Sequence, residues 1–246
     1  MGKLRIKVVT LGSGFPLFDN SRIKNWKSDI FKVVDPIKNH ELNANTDGSN
    51  WEYYDDTLAQ QIPEYSDADL LLAITKIPLE ENWFLRCIGK NRFIFTYYEI
   101  KDILIRDNIP IENAILRILY ALSLMFSSSG NMILSSDRIP TFTHDENKGC
   151  LFDMNGIKTE IISSCHLPIL CDACVQRLRI NGISNEELKI VKKEIKKIKK
   201  GLYSNLTSAI KRHPILAIVI SSVSAIVLGL IASILGNLLY DKLFHS

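Results

Sequence analysis

The stretch THDENKGCLFDMNGIKTEIISSCHLPILCDACVQRL, residues 143–178, decides how this chain folds. Cys171 and Cys174 form a C-x-x-C pair, and Cys150 lies upstream of them. A fourth ligand has to come from His144, Cys165 or His166. Thiolates and imidazole in that number suit a tetrahedral, closed zinc site that builds structure rather than catalyses. The chain has five cysteines, an odd number, and begins MGKLRIKVVTLG, without the apolar core of a secretory signal. That combination points away from a disulfide framework and towards metal or core roles.

Upstream of this stretch the pattern is that of a mixed domain. KLRIKVVTLG (3–12) reads as a buried strand closed by Gly12 and Gly14. ADLLLAITKIPL (68–79) reads as a second buried strand and NRFIFTYYEI (91–100) as a third. Residues 111–126 read as a helix, with Ile115, Ile118, Leu119, Leu122 and Met125 or Phe126 as its core stripe. The Asn-, Asp- and Gly-rich stretch 38–54 reads as a loop, and 131–140 as a connector. Strands mixed with helices give an expected α+β class, with the body ending at 178–182.

Downstream the charge changes sign. The whole chain has 30 Lys and Arg against 27 Asp and Glu, a net of +3. Ten of those cations and two of those acids fall in 189–246, a net of +8, which leaves 20 against 25 in 1–188, a net of −5. Residues 183–212 read as a basic amphipathic helix, capped by Ser184 or Asn185 with Glu186 and Glu187 in the first turn. Val191, Ile195, Ile198 and Leu202 make one apolar stripe, and Lys189, Lys192, Lys193, Lys196, Lys197, Lys199 and Lys200 fill the rest. Seven lysines beside the single Glu194 repel one another, and an anionic surface relieves that cost. Two readings stand here: the lysines meet lipid headgroups, or the helix simply packs on the body. Nucleic acid would attract such lysines too.

From Pro214 to Leu239 there is no charge: PILAIVISSVSAIVLGLIASILGNLL. About 20 apolar residues span a bilayer core as a helix. Residues 213–240 are therefore expected to cross the cell membrane once, with Tyr240 as an interfacial anchor and 241–246 outside. Lys211 and Arg212 immediately before the span put the N-terminal body in the cytosol by the positive-inside rule. With them, Lys189–Lys200 complete the expected lipid-binding set. Ser221, Ala225, Gly229, Ala232 or Ser233, and Gly236 recur at helical spacing. Such a small face lets helices approach closely in lipid, so self-association through it is expected, with Asn237 able to add a hydrogen bond.

Residues 3–178 together resemble the archaemetzincins, zinc metalloproteases in which a Cys-rich knuckle follows the catalytic helix. The likeness runs through the first strand, DLLLAITKIPLEENWF (69–84), the helix at 111–126 and the knuckle. It is strongest to the catalytically degenerate branch, where HDE-x-x-G-C-L-F-D-M precedes C-x-x-C. The resemblance implies a metzincin-like α/β body with a structural zinc on Cys150, Cys171 and Cys174. It puts His144 in the place of the first cysteine, ahead of Cys165 and His166, and Met154 at the turn beneath the site.

An active member needs H-E-x-x-H-x-x-G-x-x-H on the central helix, two His for catalytic zinc and Glu as base. Here that helix reads IENAILRILYALSLMFSS, and the five histidines are His40, His144, His166, His213 and His245. No catalytic residue is expected: the fold is kept and the peptidase lost. The layout of body, basic helix and span resembles the membrane effector encoded beside short Argonautes of thermoacidophilic archaea. That resemblance implies an antiviral, abortive-infection effector that damages the membrane when a guide-loaded sensor finds foreign nucleic acid. Its expected partners are anionic phospholipids, a short Argonaute or its associated subunit, and further copies of itself, with no nucleic-acid specificity of its own. The alternatives are a tether that only anchors a complex, or a hydrolase. For a hydrolase, Cys87 with His40 is the spare nucleophile–base pair, and Glu52, Asp55 and Asp56 are the acids able to hold a cation.

Overall fold

Strand β1 (Leu4–Leu11) is the spine of a five-stranded sheet whose spatial order is β2-β1-β3-β5-β4. β2 (Phe31–His40), β3 (Leu70–Thr75) and β5 (Arg92–Thr96) run parallel to it, and β4 (Leu85–Gly89) closes one edge antiparallel to β5. The structure is a computed structural model that describes residues 2–12, 18–132, 134, 141–201, 206 and 210–244, with side chains as far as Gly236 in the last helix. Gly14, most of the 131–140 connector, Leu202 and the side chains of Asn237 and Tyr240 lie outside the described residues.

Successive strand residues point to opposite faces, and here both faces are covered. Ile6, Val8, Leu70, Leu72, Ile74, Phe93 and Phe95 join the larger core. Val9, Leu11, Leu71, Ala73 and Ile94 join a smaller one under helix α2 (Asp55–Gln61), through Leu58 and Ile62. That double coverage explains why β3 is an unbroken apolar run, legible as buried without any alternation. Two strands depart from the expected reading. β2 carries Pro36 and runs to His40, into the stretch expected as loop, with its register to β1 shifting between Lys7 and Val9. It is an edge strand, where a proline is tolerated. β4 is only five residues long and is fixed by its hairpin to β5.

The larger core is organised by α4 (Ile111–Ser128), of whose 18 residues 16 are buried. α1 (Asn20–Lys24), α3 (Ile100–Arg106), α5 (Ile161–Ser164), α6 (Asp172–Ile180) and α7 (Asn185–Ile195) complete the body. The compact unit continues to Lys200, beyond the boundary expected at 182, because α7 belongs to it. Leu188, Val191, Ile195 and Ile198 are all buried, so the apolar stripe of the basic segment is spent on the body. The helix stops at Ile195, short of the 183–212 expected from periodicity. With the seven lysines and Glu194 counted in, residues 1–200 hold 27 cations and 26 acids. The body with α7 counted in is therefore nearly neutral, and the basic segment belongs to it and not to a separate tail.

Glu194, the single acid among those lysines, is what docks α7. It is 5% exposed, and its carboxylate accepts from Ser28 Oγ (2.7 Å), from the Asp29 N–H (2.8 Å) and from Tyr120 OH (2.7 Å) on α4. Tyr120 in turn accepts from Trp26 Nε1 at 2.9 Å. Burial, joined by the Glu194 carboxylate, holds the Tyr120 phenol above its ordinary range.

The second unit, Gly201–Ser246, contains α8 (Pro214–Phe244). The helix passes Asp241 and Lys242 without a break, so it is longer than the 213–240 expected, and most of the expected 241–246 end is helical. Pro214 opens it, where a missing N–H costs nothing. Pro214–Gly236, 23 residues, is long and apolar enough to cross a membrane and is unburied throughout. α4 also passes by length and composition, but it is a buried core helix.

Replacing Glu194 by Ala strands two buried donors, Ser28 Oγ–H and Tyr120 O–H, each worth about 1–3 kcal/mol when left unpaired, and frees the part-buried Asp29 N–H. Glu194→Ala is expected to destabilise the body by about 2–4 kcal/mol, and Tyr120→Phe by less, read from urea unfolding followed by tryptophan fluorescence. An unchanged midpoint for Glu194→Ala would show that α7 is held by its apolar face alone.

Candidate metal centre

The knuckle is built by short backbone pairings. The His144 N–H donates to Phe152 O, the Met154 N–H donates to His144 O, and a turn from Asn147 brings Cys150 round. Leu151 and Ile169 are then tied, with Leu151 N to Ile169 O at 2.7 Å and Ile169 N to Gly149 O at 3.0 Å. Gly149 makes this approach possible: its φ is +82°, and a Cβ there would lie 3.2 Å from Ser163 O. The pairing delivers Cys171 to the N-cap of α6 and Cys174 into the helix's first turn, where helix N–H groups favour thiolate.

His144, Cys150, Cys171 and Cys174 meet there, with their ligand atoms all within 4.8 Å of one another. Cys150 Sγ and Cys174 Sγ are 3.8 Å apart, and Cys171 Sγ is 3.6 Å from His144 Nε2. Ligands at zinc–sulfur and zinc–nitrogen bond lengths with tetrahedral angles sit about 3.8 Å and about 3.6 Å apart, respectively. The donor set and its spacing fit zinc, held in a closed site with no place for a reacting water.

The fourth residue of this cluster is His144, not Cys165 or His166. Cys165 is fully buried elsewhere; burial pushes its thiol up to about 12, with Arg117 pulling the other way. His166 Nδ1 accepts from the Lys200 N–H at 3.2 Å, and burial, then Lys200, lower its pKa.

The electrostatics favour a bound cation. The Cys174 thiol, then the N–H groups of Cys171 and Phe152 and the His144 ring, pull the Cys150 thiol down to about 4 against burial. Cys174 is driven upward, by Cys150 first and burial next. A divalent ion removes that opposition and lets all three sulfurs be thiolates. Three thiolates around zinc leave one net negative charge. Arg177, one turn along α6, meets it, with Nη2 3.3 Å from Cys174 Sγ and Nη1 donating to Thr141 O at 2.8 Å. Its guanidinium also lies 5.4 Å and 5.6 Å from the ring centres of Phe142 and Phe152. The signal for this residue was present in CDACVQR, an arginine three residues after the second cysteine of a helix-starting pair.

The other expected site residues fall as follows. Lys189, Lys193, Lys196, Lys197 and Lys199 are exposed, and Lys192 and Lys200 half-exposed, on the outside of α7 and the turn after it. Lys211 and Arg212 are exposed just before α8. Ser221, Ala225, Gly229 and Gly236 are exposed along α8. The hydrolase pairing is not assembled. His40 ends β2 and Cys87 lies on β4, the two opposite edges of the sheet. His40 Nε2 is 2.8 Å from Tyr65 OH, while Cys87 Sγ lies 3.1 Å from Gly89 O. Asp55 is engaged by Arg86, with Nη2 at 2.7 Å and Nε at 3.0 Å from Oδ2, and Glu80 accepts from the same guanidinium. That carboxylate is part of an ion-pair cluster and not a free cation ligand.

No protein-family model matches the chain, and no curated protein does. Among solved structures it is similar to the archaemetzincin of Methanopyrus kandleri, at 13% identity over 73% of this chain and 96% of that one, with a TM-score of 0.43. By its own sheet, helices and knuckle the chain is a zinc-binding α+β protein that carries a C-terminal apolar helix.

Elemental analysis is expected to give one zinc per chain for the wild type and for Cys165→Ser, and well under half for Cys174→Ser. Arg177→Met is expected to weaken zinc retention about 10- to 100-fold in a chelator competition, the usual cost of removing a group that orients a ligand. Equal zinc loss from Cys165→Ser and Cys174→Ser would move the site elsewhere.

Proposed function

We propose that the chain is a membrane-anchored, non-enzymatic effector that binds anionic lipid and permeabilises or depolarises the membrane when a partner senses foreign nucleic acid. The observation that carries this reading is α8: a 23-residue apolar stretch, Pro214–Gly236, long enough to cross a bilayer and unburied. Lipid removes such apolar area from water.

The central helix supports the absence of a reaction. α4 offers no histidine, and its acid is committed: Glu112 accepts from the Asp19 N–H and from Arg22. The trigger, an antiviral sensor of the short-Argonaute kind engaging the body, rests on the resemblance of layout.

A single apolar helix cannot line a pore, since its surface offers no polar channel. Damage therefore needs several copies, and the Ser221, Ala225, Gly229, Gly236 face is the contact available. The lysines act as charge on the outside of the body and not as an inserting helix, because their apolar stripe is buried. A simple tether is the second reading, favoured by that same docking of α7.

Full-length protein is expected to release dye from anionic vesicles when clustered, and a truncation after residue 205 to release none. Gly229 and Gly236 have open space where a Cβ would go. Changing both to Leu should therefore leave insertion intact while abolishing release. Damage by the truncated form would refute a membrane mechanism; no damage by any clustered form would leave the tether. Neutralising Lys192, Lys193, Lys196, Lys197, Lys199 and Lys200 together is expected to abolish the preference for anionic vesicles, a preference that in the wild type fades with salt because charges are screened beyond about 8 Å. Undiminished preference in the six-fold variant would show that these lysines serve another partner.

A further inference from the structure

The knuckle carries an apolar turn on its outside. Residues 166–170 link α5 to the start of α6, and Leu167 and Ile169 are 45% and 52% exposed on either side of a buried Pro168. The turn is held from both flanks. The Leu167 N–H donates to Ile198 O at 2.7 Å, the Lys200 N–H donates to His166 Nδ1 at 3.2 Å, and Ile169 is tied to Gly149 and Leu151. Leu167 has a φ of +55°, the left-handed region that a bulky side chain keeps only where its surroundings fix it. A single exposed leucine is ordinary. Two apolar side chains held out to water by a turn pinned with four hydrogen bonds, one of them in a costly backbone conformation, are a presented surface.

Charge and chain connectivity select what this surface meets. Ile198, whose carbonyl takes the Leu167 N–H, lies within KKIKK (196–200), four lysines with no acid. Lys196, Lys197 and Lys199 are exposed and Lys200 half-exposed. On the knuckle side Lys148 is paired with Glu160, and Asp145, Glu146 and Asp172 are exposed acids. An apolar tip edged by lysines on one side matches the boundary of an anionic bilayer, where apolar side chains reach the acyl region and cations meet the headgroups. An acidic protein segment would attract the lysines as well, but connectivity favours lipid. Residues 201–213 separate Lys200 from Pro214, and that length of chain reaches at most about 45 Å. A turn bonded to Lys200 is therefore kept at high local concentration beside any bilayer that α8 enters.

We propose that the 166–170 turn is a membrane-docking tip: Leu167 and Ile169 enter the acyl boundary of an anionic bilayer, the lysines of 196–200 lie against its headgroups, and the knuckle face of the body turns towards the membrane. The proposal rests on the membrane reading of α8 and adds to it a second contact, made by the body itself.

The test uses the full chain in nanodiscs of phosphatidylcholine, alone or with phosphatidylglycerol, each doped with a phospholipid that carries a diazirine in its acyl chain. Labelled peptides are read by mass spectrometry. Label is expected on α8 in both discs, and on the 166–170 turn about tenfold more in the anionic discs. Asparagine tolerates the left-handed backbone at position 167. Leu167→Asn combined with Ile169→Gln is expected to cut label on the turn about tenfold, with α8 labelling and zinc content unchanged. If the double variant loses zinc, Ile169→Gln alone decides, with a loss of about threefold expected. Label on α8 with none on the turn in anionic discs would overturn the docking and leave the membrane reading standing. An unlabelled α8 would overturn both. Turn labelling that is equal in the two discs, or undiminished in the variant, would overturn the docking alone.

Discussion

A helix buried on every side must find an internal partner for each polar side chain it carries, because an unpaired polar group away from water costs free energy comparable to a lost hydrogen bond. α4 is in that position, and its polar residues determine where the rest of the body goes. Glu112 accepts from the Asp19 N–H and pairs with Arg22, which positions α1. Asn113 donates to Cys165 O and accepts from Arg22, tying α1 to the end of α5. Arg117 holds the turn at Asp153 beside the knuckle, and Tyr120 holds Glu194 of α7. Four side chains over nine positions of one helix thus dock four separate segments. The apolar contacts around them supply most of the stabilisation, while the polar ones make the arrangement specific.

Metal and core are joined through the same residues. The knuckle has little regular structure of its own: two isolated bridges, a turn and the start of α6. The cluster is joined to the core through Leu151 and Phe152, which are buried core residues, so a metal bound there would fasten the knuckle to the body. Arg177 meets the Cys174 sulfur, while Arg117 holds the turn at Asp153. Arg177 also lies over Phe142 and Phe152, and Arg117 over Phe84, so each guanidinium combines a polar contact with aromatic packing.

The basic segment shows why charge counted along a chain differs from charge on a fold. Read linearly, seven lysines precede the apolar span and look like part of a tail. In the folded body Glu194, Leu188, Val191 and Ile195 fasten that helix to α4 and the loop before β2, and the lysines become one side of a nearly neutral unit. The charges that remain with α8 are Lys211, Arg212, Asp241 and Lys242.

The apolar span, the buried strands β1, β3 and β5, the core helix α4 and the cysteine pair were all determined by the sequence itself, because each is a local signal: a run without charge, a period, a spacing. Tertiary structure alone decided the rest. β2 and β4 exist because a sheet edge recruits them; neither a proline-bearing strand nor a five-residue one has a pattern strong enough to read alone. His144 was separated from Cys165 and His166 by where the Leu151–Ile169 pairing brings the knuckle together, since all three lie within ligand-like spacing along the chain. Glu194 reads as a surface charge among lysines, and Arg117 as an interruption in an apolar helix. Their roles depend on partners more than 30 residues away in sequence, at Tyr120 and Asp153, and only the packed core brings those partners within hydrogen-bond reach.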